Sequence, residues 1–317
     1  MSAMGDRANT PAMRASRLYG VGDIRLEALP RPEPGPDEVL LRIAAVGVCG
    51  SDVHYYLDGA IGDQVVTEPT IMGHEFSAWV AELGPGVEGE LEVGQLVAVD
   101  PAIPCEACEP CRRGHPNLCP NVRFCGTPPV DGVLAEYAVM PAENCFPLPP
   151  GFSAVEGAML EPLGVAIHAV DLAHLRPGNT VAVLGAGPIG LLIAAVARVA
   201  GATRVFMTEP LAYRRTFARN YAADVTLDPY AAEGEDYDDV VTEILRLTGG
   251  RGVDVAFEAA GGRETPEQAA AVTRLGGNVI VAGIPSDDRM TFTASHARRH
   301  GLTIKLQSPA ARTFVVE

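Results

Sequence analysis

No stretch of this 317-residue chain approaches the roughly 20 consecutive apolar residues that cross a bilayer, which argues against a membrane-spanning role. The opening residues, MSAMGDRANTPAM, lack the apolar middle of a secretory signal, so the expected location is the cytoplasm. Basic residues are scarce as well. Lys and Arg number 24 against 40 Asp and Glu, a formal net charge of -16. A nucleic-acid binder needs a basic surface, and that class is excluded. No internal repeat and no low-complexity segment is present, and helical periodicity is nearly absent from the first half of the chain.

What remains is ordinary globular material, 47% hydrophobic and 20% charged, in a length suited to about two domains. Residues 1–12 are small, polar and turn-prone, and are expected to form a disordered extension. Over 13–153, short apolar runs such as EVLLRIAAVGVC, FSAWVAELG, LVAVDP and LAEYAVMP are broken by Gly and Pro, predicting a β-rich domain with long loops. From 154 to 306 the pattern becomes strand, helix, strand. The runs NTVAVLG, TRVFMTEP, DVTLD, VDVAFEAAG, GNVIVAGI and LTIKL predict six strands. Helices are expected in PIGLLIAAVARVA, LAYRRTFARNYAA, DDVVTEILRLTG and TPEQAAAVTRL. The fold class is therefore α/β, with a parallel, doubly wound sheet and right-handed crossovers in the second half.

Four of the seven cysteines, Cys105, Cys108, Cys111 and Cys119, fall within CEACEPCRRGHPNLC. Four thiolates so bunched suit a closed tetrahedral site for structural zinc. A pair of disulfides is the alternative, favoured only in an oxidising compartment.

The segment GAGPIG sets Gly185, Gly187 and Gly190 at G-x-G-x-x-G spacing, directly after a predicted strand and opening a predicted helix. The first glycine makes the tight turn, the second admits a pyrophosphate, and the third lets helix and strand pack closely. Glu209 ends the next strand nineteen residues after Gly190, where a carboxylate accepts from a ribose hydroxyl and repels a 2′-phosphate. NAD is expected as the cofactor. Arg214 and Arg215 follow closely enough to meet a phosphate, which leaves NADP as the second choice.

In the first half, GVCGSDVHYY brings Cys49, Ser51 and His54 together, and IMGHEF supplies His74 and Glu75. A lone histidine or thiol usually belongs to a core. Thiolate, imidazole and carboxylate in combination are the ligands of a zinc ion with an open fourth position. Such an ion acidifies an alcohol so that hydride can pass to a nicotinamide. Ser51 and His54 are then the expected relay for the alcohol proton.

In GVCGSDVHYY, GHEF, the four-cysteine lobe, PPVDG, EPLGVAIHA, GAGPIG and GVDVAFEAAG, the chain resembles the zinc-dependent medium-chain alcohol dehydrogenases, in the sorbitol and xylitol (polyol) branch. The resemblance runs from Met13 to Leu306. It implies a GroES-like catalytic domain, a Rossmann domain, and a homo-oligomer, either tetramer or dimer. The implied reaction is NAD-dependent oxidation of a polyol secondary alcohol to a ketose. A threonine-type or simple secondary-alcohol dehydrogenase is the alternative enzyme. By position, the resemblance makes Cys49, His74 and Glu75 ligands of the catalytic zinc and Glu161 a further acid near it. Tyr55 becomes a substrate contact. Ile189, Arg214, Ala282, Gly283 and Ile284 join the glycines and Glu209 as cofactor contacts. The cysteine lobe becomes the structural zinc site, and Cys125 and Cys145 become packing residues.

Two departures stand out. Ala78 occupies a position where the family has glycine. After Leu306, residues 307–317 read QSPAARTFVVE in place of an arginine-bearing segment that returns to the catalytic domain. Against the family pattern this tail looks like a truncation. It implies a weakly active chain, or an NAD- and zinc-binding remnant, with apolar surface uncovered on the first domain.

Overall fold

In the computed structural model, which describes residues 11–230, 239–285 and 289–307, the apolar runs of the first half form antiparallel sheets. Five strands lie side by side in the order Tyr137–Pro141, Glu38–Gly47, Glu75–Leu83, Leu96–Val99 and Cys145–Pro147. A second sheet sets Ala12–Gly20 between Asp23–Pro30 and Thr70–Ile71. Alternation along the central strands sends Val39, Leu41, Phe76, Ala78, Val80, Val97 and Val99 into one core. Cys125 and Cys145 are buried in that core, as packing residues should be. Ala78 sits within a strand, paired with Ile43 and Val97, and its backbone is not left-handed, so a methyl group is accommodated there.

The chain divides into two compact units between Glu161 and Pro162. The change of pattern at residue 154 falls slightly earlier, because the helix Ala154–Ala158 packs on the strands Glu38–Gly47 and Glu75–Leu83. Ser153 starts that helix with a capping box: its Oγ accepts from the Glu156 N–H, and the Glu156 carboxylate accepts from the Ser153 N–H at 2.7 Å.

The second unit is a six-stranded parallel sheet in the order Val225–Leu227, Arg204–Thr208, Thr180–Leu184, Val253–Glu258, Thr273–Val281, Thr303–Leu306. In chain order this is 3-2-1-4-5-6, the doubly wound Rossmann arrangement. The strands Thr180–Leu184, Arg204–Thr208 and Val253–Glu258 are largely apolar on both faces, as a covered parallel sheet requires. Val181, Val183, Val205, Met207 and Phe257 pack on one side with the helices Leu160–Ala173, Pro188–Val199 and Ala212–Tyr221. Ala182, Leu184, Phe206, Val253 and Ala256 pack on the other with Val240–Leu247 and Thr265–Val272. At the opposite end of the sheet from the glycine loop, Asp254 is held by Arg251 and Arg274, each at 2.6 Å, and by the Thr180 N–H at 2.9 Å.

Beyond Ala158, three helices depart from the sequence expectation. Leu160–Ala173 was hidden by Pro162 and Gly164, yet proline is tolerated in a first turn because no donor is needed there. Ala294–His300 is short and polar. The predicted helix TPEQAAAVTRL stops at Val272, where Thr273 bonds its hydroxyl back to the Ala269 carbonyl at 2.7 Å and begins the next strand. Of the expected N-terminal extension over residues 1–12, residues 1–10 lie outside the described residues, and at Ala12 the first strand is already under way. The expected atypical tail lies outside them as well, except for Gln307. That residue prolongs the last strand through its N–H to the Val281 carbonyl and donates its amide to the Val165 carbonyl. No helix among the described residues is long and apolar enough to cross a membrane.

Candidate active site

Antiparallel pairing assembles the first group of candidate residues. Gly47, the last residue of its strand, pairs with Glu75, the first of the next. Cys49 lies two residues beyond one end and His74 one residue before the other, so the register itself brings them together. The Cys49 sulfur, a ring nitrogen of His74 and a carboxylate oxygen of Glu75 all lie within 4.8 Å of one another. The absence of a side chain at Gly47 is part of the geometry, since a Cβ there would collide with the Glu75 carboxylate.

Asp52, which the sequence reading passed over, ties the two segments together. Its Oδ2 accepts from the Cys49 N–H at 3.0 Å, and its Oδ1 accepts from the Gly73 N–H at 3.0 Å. It lies 3.9 Å from His74 Nδ1, a buried atom with no hydrogen-bond partner among the described residues. A carboxylate three residues after a helix-capping position is a legible signal for the first bond. The second spans twenty-one residues and is not legible. On the far side, the PPVDG loop clamps the Met72–Gly73 turn. Asp131 accepts from the Ile71 N–H at 2.8 Å, and the Gly132 N–H donates to the Ile71 carbonyl at 2.6 Å. A Cβ on Gly132 would strike the Gly73 carbonyl, so only glycine lets the loop approach so closely.

The electrostatics are those of an anionic pocket. Burial pushes the Cys49 thiol up to about 12, against opposing hydrogen bonds from Ser51. Burial raises the Glu75 carboxyl as well, although its contact with Cys49 pulls it down. Glu161 is pushed up to about 8, first by its desolvated surroundings and then by the nearby charges of Glu75, Asp100 and Asp52. Burial lowers the His74 imidazole and so keeps it neutral. Neutral imidazole, thiol and carboxyls lacking countercharge form a donor set that a divalent cation fits, and a cation would relieve each anionic strain at once. Bound zinc must displace the Cys49 proton but none from His74. Zinc affinity of the metal-free Cys108→Ser variant, measured against a competing chelator from pH 6.5 to 8.5, should therefore rise about tenfold per pH unit. A flat profile would remove Cys49 from the ligands.

The helix Gly50–Asp58 presents Ser51 and His54 three residues apart, on one face. Ser51 lies against the Cys49 sulfur, and His54 Nδ1 is 3.1 Å from Asp58 Oδ2, which orients the ring. Tyr55, expected beside the substrate, is 2% exposed, packs with Leu18 and Met72, and donates its hydroxyl to Gln64 at 3.0 Å. Its ring is large and apolar, and on this helix it faces the core.

The four lobe cysteines also converge, with sulfurs within 4.8 Å of one another, and all seven cysteines are free. Backbone N–H groups of Ala107 and Cys108 draw the Cys105 thiol down to about 6, whereas burial and the Cys108 and Cys119 sulfurs push Cys111 up to about 12. Four thiolates cannot share this volume without a cation, so the lobe fits zinc.

In the second unit each glycine of GAGPIG shows its own reason. Gly185 has φ +104°, a left-handed conformation suited to glycine, and its N–H donates to the Thr208 carbonyl. A Cβ on Gly187 would meet nothing within 4 Å, which leaves the space a pyrophosphate requires. A Cβ on Gly190 would collide with the Gly185 carbonyl. Glu209 ends its strand 4% exposed, with its oxygens accepting from the Ala186 and Leu211 N–H groups at 3.0 Å. Arg214 lies 3.9 Å from Glu209, and Arg215 is committed to the Glu209 carbonyl and to Asp228 at 2.9 Å. Ile189 is half-buried on the helix Pro188–Val199, and Ala282, Gly283 and Ile284 follow the strand Thr273–Val281.

Residues 35–150 match the alcohol dehydrogenase GroES-like domain, and residues 188–308 match the zinc-binding dehydrogenase domain. The chain is 39% identical over 278 residues to sorbitol dehydrogenase of Bacillus subtilis, covering 88% of this chain and 77% of that protein. It is 41% identical over 300 residues to D-xylulose reductase A of Aspergillus niger, covering 94% and 82%. A protein of Sinorhizobium meliloti described as a zinc-binding dehydrogenase, solved with bound NADP, superposes with a TM-score of 0.84 at 34% identity, over 96% of this chain and 86% of that one. The chain is an oxidoreductase that belongs to the zinc-binding alcohol dehydrogenase family.

Proposed function

We propose that the protein oxidises a secondary alcohol of a polyol to the ketone, with NAD as the hydride acceptor. The observation that carries this reading is the convergence of Cys49, His74 and Glu75 into a three-ligand group, with the raised acid Glu161 electrostatically coupled to Glu75. Those three residues would hold the catalytic zinc, and Cys105, Cys108, Cys111 and Cys119 the structural one. Zinc at the first site would supply a Lewis acid for the alcohol oxygen, and bound NAD would serve as the hydride acceptor. The chain's own part is to hold those ligands through Asp52 and to move the hydroxyl proton. Ser51 accepts that proton and passes it to His54, whose Nδ1 is fixed by Asp58 so that the other ring nitrogen faces the exchange with solvent. Glu161 contributes an acid beside the ligands. The family resemblance supports a homo-oligomer, dimer or tetramer.

Polyol as the substrate class rests on the sorbitol and xylulose relatives near 40% identity. A panel of sorbitol, xylitol, threonine and 2,3-butanediol, each with NAD, tests it. The highest kcat/KM is expected on a polyol, and a maximum on threonine or butanediol would overturn that choice.

The preference for NAD rests on Glu209, whose oxygens keep lone pairs for a ribose hydroxyl after serving Ala186 and Leu211. Glu209→Ala should weaken NAD about tenfold, by loss of a charge-assisted hydrogen bond, and narrow the gap to NADP. Equal affinity of the parent chain for both cofactors would take Glu209 out of the ribose site.

A further inference from the structure

Glu258 ends the strand Val253–Glu258 where the order of the sheet reverses, paired with Leu184 on one side and Val281 on the other. Dinucleotides lie across the carboxyl ends of the strands at such a switch point, one nucleotide to each half of the sheet. The GAGPIG loop and Glu209 belong to the half that takes the adenosine. The loops after Glu258 and Val281 therefore belong to the nicotinamide half.

One residue joins those two loops. Glu258 is 1% exposed, and its Oε1 accepts from the Ala260 and Gly261 N–H groups, each at 2.9 Å, and from the Thr265 hydroxyl at 2.7 Å. Its backbone carbonyl accepts from the N–H groups of Ala282 at 2.8 Å and Gly283 at 3.0 Å. The other carboxylate oxygen, Oε2, has no hydrogen-bond partner among the described residues and faces Gly283, where an added Cβ would come within 2.5 Å of it. The loops interlock through glycines. A Cβ on Gly261, at φ +64°, would strike the Ile284 carbonyl, and one on Gly185 would meet the Ala259 carbonyl at 2.9 Å.

We propose that Glu258 is a positioning residue for the nicotinamide half of the bound dinucleotide. It fixes residues 259–265 and 282–284 relative to each other and to the GAGPIG loop, and it touches no reacting atom. The proposal rests on the dinucleotide reading above, which titration of the parent chain with NAD tests separately. No binding there would overturn that reading and this proposal with it. Given parent binding, Glu258→Gln replaces a charged acceptor of three hydrogen bonds by a neutral one, and the loss should fall on one half of the ligand. Affinity for NAD is expected to drop about tenfold, with KM for NAD rising in step, while affinity for ADP-ribose, which lacks the nicotinamide, stays within about twofold. Thr265→Ala removes one of the three donors to the same carboxylate and should give the same split in weaker form, and it decides the question if Glu258→Gln does not fold. A purely structural role would weaken both ligands alike. Equal losses for NAD and ADP-ribose, or no loss for either, would overturn the proposal.

Discussion

Replacing His74 with alanine, or Cys49 with serine, is expected to lower polyol oxidation by about a thousandfold or more, while the affinity for NAD stays within about twofold of the parent chain. The asymmetry follows from where the groups lie. Cys49, His74, Glu75 and Glu161 all belong to the unit that ends at Glu161, whereas Gly185, Gly187, Gly190 and Glu209 belong to the unit that begins at Pro162. Either substitution removes one of only three strong donors, and zinc held by two ligands competes poorly with water. Nothing in the sheet of the second unit depends on that metal. Zinc analysis and NAD titration on the same preparation check both halves of the expectation. A His74→Ala protein that keeps its zinc and its turnover would remove His74 from the site. One that loses NAD binding as well would show that the two units do not fold independently.

The second large effect concerns the cysteine lobe. The parent protein should carry about two zinc ions per chain, and Cys108→Ser should carry about one, with a thermal midpoint lower by several degrees. Over residues 105–119 the described structure holds only a four-residue helix, Glu109–Arg112, and a three-residue turn, Pro116–Leu118, and of the four cysteines only Cys119 is buried. Such a segment has little apolar core of its own, so metal binding contributes most of what orders it. The opposed shifts of Cys105, to about 6, and Cys111, to about 12, show sulfurs crowded too closely to ionise together without a cation. Thiol titration should find the lobe cysteines unreactive in the parent and exposed in the variant. One zinc per parent chain, unchanged by Cys108→Ser, would refute the lobe as a metal site.

Sequence alone determined the features that are local or periodic. Covered parallel strands must be apolar on both faces, so the central ones were visible as apolar runs, and a turn that needs φ above zero had to show itself as Gly185. The cysteine spacing and the strand, GAGPIG, helix, strand, Glu209 succession carried their chemistry for the same reason: each lies within one or two elements. The structure decided whatever depends on distant segments meeting. That Cys49 and His74 converge is a matter of register between Gly47 and Glu75, and that Asp52 bridges to Gly73 depends on the same pairing. The packing of Tyr55 against Leu18 and Met72 was decided in the same way, because Leu18 comes from a strand far away in the chain. Glu258 shows the limit most sharply. In sequence it is one acid after an apolar strand. In the fold, the loops from two strand ends close on it, beside the point where the order of the sheet reverses.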